Sequence, residues 1–195
     1  MLLYVAALPI AAAPSVTGPV RAQQSDAADV RGRSPGKNVN DPGGSRNNSD
    51  EKDSKQSANE APDEIEILER YCLSEINRLR RAYHLAPLEF HKELLPVARG
   101  YSRRMAEEGF FSHTDPEGRG TRDRLNGAGI KWSSLAENIA SERGWVNPVA
   151  VMVHGWMDSA GHRGNILNAG FDQTAVGAWI SDNGSVYFTQ IFIKR

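Results

Sequence analysis

Thr174-Ala175-Val176-Gly177-Ala178-Trp179-Ile180-Ser181 and Ser185-Val186-Tyr187-Phe188-Thr189-Gln190-Ile191-Phe192-Ile193, divided by Asp182-Asn183-Gly184, decide the fold of this chain. Asn-Gly between apolar runs is the strongest short hairpin signal, because both central residues of that turn tolerate positive φ. The pattern predicts two antiparallel strands, Thr174–Ser181 and Ser185–Ile193, at the C-terminal end.

Working back from the hairpin, the chain reads as helical. Val149 to Ser159 is apolar almost throughout and predicts a deeply buried helix, with Ser159-Ala160-Gly161 ending it. Arg122 to Ala128 predicts a short helix closed by Gly127 or Gly129. A longer one is expected from about Lys92 to Glu108, with Leu94, Leu95, Ala98, Tyr101, Met105 and Ala106 inward and Gly109 just past its end. From Asp63 onward, Ile65, Leu68, Cys72, Ile76 and Leu79 recur every three or four residues, so they line one face of a first helix, with Glu and Arg opposite. Helices first and strands last, with little βα alternation, indicate α+β packing around an antiparallel sheet.

The remainder of the 195 residues has a different composition. Between Ile10 and Ile65 there is no Leu, Ile, Met, Phe, Tyr or Trp. Such a stretch cannot bury enough apolar surface to offset the entropy of ordering its backbone, so residues 23–62 read as a disordered polar linker. Met1 to Ala13 is an apolar run too short to span a bilayer, and Val20-Arg21-Ala22 has the small–x–small form of a signal-peptidase site. Residues 1–22 are therefore expected to be a signal peptide, or an uncleaved anchor, in a secreted protein; no Lys or Arg precedes the apolar run. No other membrane span is expected. The folded domain occupies 63–195, large enough to stand on its own core without a disulfide, since Cys72 is the single cysteine. Cys72 falls on the apolar face of the first helix and reads as a core residue. The net charge of −1 leaves no basic footprint for nucleic acid.

Three short segments put a polar residue able to bind or catalyse among apolar or small neighbours: Phe110-Phe111-Ser112-His113, Ala136-Glu137-Asn138-Ile139-Ala140 and Gly161-His162-Arg163-Gly164-Asn165-Ile166-Leu167. Two histidines and a carboxylate can hold a divalent metal or move protons. A charge buried among Leu135, Ala136, Ile139 and Ala140 costs several kcal/mol or so unless paired, so Glu137 needs a partner, with His113 and His162 as candidates. A buried Glu bonded to backbone amides, beside two histidines in a polar core network, would leave the same trace. His84 and His91 sit among charged residues at helix ends and read as solvated; His154 and His162 match no metal motif. There is no nucleophile elbow, phosphate-cradling glycine loop or dinucleotide fingerprint.

Taken in order, Ile76-Asn77-Arg78-Leu79-Arg80, Leu85-Ala86-Pro87-Leu88, Met105 to His113, Ala136-Glu137-Asn138-Ile139, Trp156 to Leu167, Val176-Gly177 and Tyr187 to Phe192 make the region 65–193 recognisable. It resembles the CAP superfamily (cysteine-rich secretory proteins, antigen five and pathogenesis-related proteins; the SCP domain), in its disulfide-free bacterial branch. The resemblance implies a three-layer α–β–α sandwich with a central antiparallel sheet. It also implies a cleft tetrad of two histidines and two acidic residues, reported in some members to bind divalent metal. His113, Glu137 and His162 match three of the four places, while Ser159 stands where animal members have glutamate, and Asn138 adjoins the site. Asp158 is next to that place but should face elsewhere on the helix.

Three functions are then open. One is an extracellular binding module for a lipid, sterol, glycan or protein. The second is a hydrolase with Glu137 as general base toward water on a metal, zinc or another divalent ion, held by His113 and His162. The third is a structural domain in which the trio is a buried polar network. The absent nucleophile and Ser159 favour the binding module.

Overall fold

The computed structural model of the chain describes Arg21–Ala22 and residues 63–195. The expected leader up to residue 20 and the linker over 23–62 lie outside the described residues. Strand β1 is Arg21–Ala22 and helix α1 is Glu64–Ala82. Then follow β2 (Glu89–Phe90), α2 (Leu94–Glu108), α3 (Thr121–Gly127), β3 (Ser134–Arg143), α4 (Pro148–Asp158), α5 (Ala160–Ile166), β4 (Gln173–Ile180) and β5 (Ser185–Lys194).

Local chemistry sets these boundaries. The Asp63 carboxylate accepts from Glu66 N at 2.6 Å and caps α1, whose first turn carries Glu64 and Glu66 and whose last carries Arg80 and Arg81, as the helix dipole favours. Gly109, at φ 70°, ends α2 in the left-handed conformation expected of it. Asn147 caps α4, where Pro148 opens the first turn.

The strands form one sheet in the order β1-β3-β5-β4-β2, antiparallel except that the short β2 runs parallel to β4. Helices cover both faces. On one, Cys72 and Ile76 of α1, Met152 and Trp156 of α4 and Ile166 of α5 pack on Ala136, Ala140, Val176, Phe188 and Phe192. On the other, Leu94 and Ala98 of α2 and Leu125 of α3 pack on Leu135, Ala175, Ile191 and Ile193, with Tyr101 and Met105 against Ile139. This is the three-layer α–β–α arrangement expected. At Gly177 a Cβ would collide with the backbone of Ala98 and Arg99, so α2 lies directly on β4.

Side chains close the sheet edges. On β4, Glu69 accepts from Ala178 N at 3.0 Å while holding Arg99 through two bonds of 2.6 and 2.8 Å. On β3, Trp156 Nε1 donates to Ile139 O at 3.1 Å and Asn165 Nδ2 to Glu137 O at 3.4 Å, and Arg21–Ala22 pairs beyond them with Ser141 and Ala140. Unpaired edges invite other strands, and these contacts withdraw them.

The structure departs from the sequence pattern in several places. Strand β3 has no alternation because both of its faces are covered, so periodicity does not reveal it. Gly161 does not break the chain; the break falls at Ser159, in extended conformation, and Gly161 lies inside α5. The hairpin turn is one residue longer than an Asn-Gly pair. Only Gly184 has positive φ, Gly184 N bonds Ser181 O at 2.8 Å, and the Ser181 and Asn183 side chains both accept from Ser185 N. His91 is buried rather than solvated, its Nδ1 accepting from Glu93 N. Helix α1 buries Glu69 and Arg80 as well as apolar residues.

Arg80 has no carboxylate partner among the described residues. Its guanidinium instead donates to four carbonyls: Ala86 at 2.8 Å, Ile166 at 2.7 Å, Asn168 at 2.9 Å and Phe171 at 3.5 Å. These bonds tie α1 to the end of α5 and to the segment leading into β4. Burial lowers the pKa of Arg80, and the carbonyl dipoles stand in for a counter-ion.

Candidate functional site

Residue His113 lies in the loop after α2, and that loop is fastened at both ends. Tyr101 of α2 donates its hydroxyl to Ser112 O at 2.6 Å. On the other side the buried Asp115 carboxylate accepts from Arg119 N at 2.7 Å, from Arg119 Nε at 2.9 Å and from Arg104 Nη1 at 2.8 Å. The turn chemistry of Asp115-Pro116-Glu117-Gly118 thus holds His113 in one place over the sheet.

Glu137 projects from β3 on the face covered by α2 and α3, and its side chain is only 3% exposed. Both carboxylate oxygens are taken. Oε1 is 2.9 Å from His113 Nδ1, and Oε2 accepts from Arg124 Nη2 at 2.6 Å. A carboxylate in an ion pair has no proton to give, so the hydrogen of this bond is carried by His113 Nδ1.

Arg124 is the residue that reading the sequence missed. It comes from α3, donates also to His113 O, Arg119 O and Thr121 Oγ1 at 3.3, 3.2 and 3.0 Å, and its guanidinium carbon lies 3.4 Å from the centre of the Tyr101 ring. Burial, chiefly, pushes the Tyr101 hydroxyl up to about 12, so it stays a neutral donor. The signal available was the need of Glu137 for a partner. Nothing in Thr121-Arg122-Asp123-Arg124 marks which arginine supplies it.

His162 sits in the first turn of α5, fully buried, with its ring centre 6.4 Å from that of Trp156. Asn138 of β3 donates to His162 O at 3.3 Å and accepts from Asn165 at 2.9 Å, and Arg80 holds the far end of the helix. Burial first, and the charge of His113 second, lower the His162 pKa to about 4. The imidazole is neutral at physiological pH.

The polar atoms left over at the site are nitrogens. His113 Nε2, both ring nitrogens of His162 and Arg124 Nε are buried without a hydrogen-bond partner. Ser159 is half-buried between α4 and α5, and its side chain makes no capping bond. Asp158 faces solvent and pairs with exposed His154 at 3.3 Å. No group of three or more His, Cys, Asp or Glu side chains is placed to hold a metal among the described residues.

Residues 73–192 match the model of the CAP cysteine-rich secretory protein family. The chain belongs to that family. Among curated proteins it is 34% identical over 135 residues to the uncharacterized protein YkwD of Bacillus subtilis, covering 69% of this chain and 50% of that one. It is 35% identical over 127 residues to the uncharacterized membrane protein YlbC of the same organism, covering 65% of this chain and 34% of that one. The chain therefore spans half or less of the length of these relatives.

Among solved structures, an extracellular protein containing an SCP domain from Bacillus anthracis aligns with a TM-score of 0.60 at 29% identity, over 71% of this chain and 45% of that one. An outer surface protein of Borrelia burgdorferi aligns with a TM-score of 0.59 at 24% identity, over 65% of this chain and 91% of that one, a likeness of fold.

Proposed function

We propose that this chain is an extracellular binding domain whose site takes a divalent metal ion on His113 and His162. The observation that carries the reading is that both imidazoles present buried nitrogens with no partner among the described residues. An unpaired buried polar atom costs about 1–3 kcal/mol, and an external partner removes that cost. Neutral imidazole is the form that ligates, and low proton affinity keeps His162 in it. Glu137 acts from behind, fixing the His113 ring and its tautomer as carboxylates do for metal-bound histidines. An extracellular place draws support from the Bacillus anthracis relative, which is described as extracellular. Among the described residues, no helix is long and apolar enough to cross a membrane.

A bound divalent ion would act at this position as a Lewis acid and as an anchor for a further ligand. The hydrolase reading draws less support. A general base must take a proton from water, and the Arg124 ion pair beside Glu137 favours its charged, unprotonated form and so opposes that step.

Zinc titration calorimetry on the wild type, on His113→Ala and on His162→Ala tests the proposal. One site in the wild type, weakened at least about tenfold in each variant, is the expected result. Equal heats in all three would overturn it.

A further inference from the structure

From the end of β3 to the start of α4 the chain reads Arg143-Gly144-Trp145-Val146-Asn147-Pro148, with one charge, that of Arg143, and no acid. Loop tips are ordinarily polar. Here Val146 is 105% exposed, against 40–54% for the other exposed large apolar side chains among the described residues, Ile67, Tyr71, Tyr83 and Phe90. Trp145 beside it is half-buried. We infer that this loop rests in the surface of a lipid bilayer, with Trp145 and Val146 at the level of the headgroups and Arg143 against their phosphates. The inference does not depend on a metal at the histidines.

The loop is fixed at both ends. Gly144 turns the chain out of β3 at φ 78°, a conformation open to glycine. The Asn147 side chain accepts from Ala150 N at 3.0 Å and its carbonyl from Val151 N at 3.3 Å, which anchors the loop on α4. Trp145 and Val146 are therefore presented between two fixtures, and binding has little of the loop left to order. An indole suits the headgroup level, Val146 adds apolar area, and a cation at the rim meets lipid phosphate.

So small a tip attaches weakly by itself. The direction of β1 supplies a second hold. Strand β1 is antiparallel to β3, with Arg21 opposite Ser141 and Ala22 opposite Ala140, so the chain enters β1 from the end of the sheet where Arg143 leads into the loop. Seven residues separate Arg21 from the apolar run Met1–Ala13. Fully extended, that spacer reaches no more than about 30 Å. Kept as an uncleaved anchor in the near leaflet, the run holds this end of the sheet beside the membrane and raises the effective concentration of lipid at the loop. The pairing of Arg21–Ala22 with β3 favours the anchor, because cleavage after Ala22 strips the outermost strand from the sheet.

The test is tryptophan emission of the whole chain on phosphatidylcholine vesicles, with and without bromine on the upper acyl chains as a contact quencher. Of the four tryptophans, Trp156 is fully buried, Trp132 packs on the α2 side of the core and Trp179 lies under Arg103. Brominated vesicles are expected to quench the wild type, and Trp145→Phe to remove most of that quenching. Val146→Asp lowers it at least about twofold, while Ile67→Asp, at an exposed apolar position on α1, leaves it unchanged. The quencher reads contact rather than attachment, so an apolar N-terminus that merely holds the chain on the vesicle does not mimic this result. Wild type without quenching, whether bound to the vesicles or free of them, overturns the inference; a loop that takes a protein partner gives that outcome. Quenching that survives Trp145→Phe, or falls equally in Ile67→Asp, also overturns it. Near-ultraviolet circular dichroism checks the fold of each variant. Should Trp145→Phe not fold, the contrast between Val146→Asp and Ile67→Asp decides the matter.

Discussion

Arg124 reaches from α3 to Glu137 on β3 and closes an ion pair of 2.6 Å, while its guanidinium covers the Tyr101 ring. The pair is almost buried, with 11% and 3% of the two side chains exposed, so its parts depend on each other. Removing one partner strands the other charge. Arg124→Ala is expected to lower unfolding free energy by about 3–5 kcal/mol, and Arg124→Ala with Glu137→Gln to recover part of that loss. Urea unfolding of the two variants checks this; a double variant no more stable than the single one would contradict it.

Arg80 makes a different prediction because its partners are carbonyls. Arg80→Leu leaves the carbonyls of Ala86, Ile166 and Asn168 without donors and is expected to cost roughly 3 kcal/mol or more. Arg80→Lys recovers little, since one ammonium cannot span the same fork. Thermal unfolding of both variants is the measurement, and a lysine variant close to the wild type would speak against the fork.

Gly177 is required by contact. Gly177→Ala forces α2 away from β4, with an expected loss of about 3 kcal/mol. A change below about 0.5 kcal/mol in urea unfolding would mean that the two elements are not packed so closely.

Two buried groups oppose each other in pH dependence. His162 has its pKa lowered to about 4 against 6.5 in the unfolded chain, so the unfolded state takes up the proton first as pH falls. Its contribution is complete above about pH 6.5 and is lost toward pH 4. Glu142 on β3 is pushed up to about 7 from 4.5 by burial, so the unfolded state releases its proton first and stability falls as pH rises from 4.5 to 7. Each is worth about 3 kcal/mol, with opposite signs over overlapping windows. The wild type is expected to be nearly flat in urea midpoint between about pH 4.5 and 6.5, whereas Glu142→Gln rises steadily across that range. A flat profile in the variant would contradict the account.

The sheet and its helices were legible where one rule governed a segment. The α1 stripe, Gly109 and the hairpin each follow from periodicity or from one permissive backbone position. Strand β3 was not legible, because a strand buried on both faces loses the alternation that marks it. For the site, His113, Glu137 and His162 could be singled out by unusual neighbours. Arg124 could not, since its role arises only when α3 folds over Tyr101 and β3. Arg80 escaped for a similar reason: its partners at Ile166, Asn168 and Phe171 are more than eighty residues away.

Anomalous diffraction from a crystal of the protein soaked in zinc decides whether the two histidines share a metal ion. A single strong peak is expected in contact with His113 Nε2 and a ring nitrogen of His162, with Glu137 still paired to Arg124. A peak bonded to Glu137 with Arg124 displaced, or no peak at the two histidines, would contradict it.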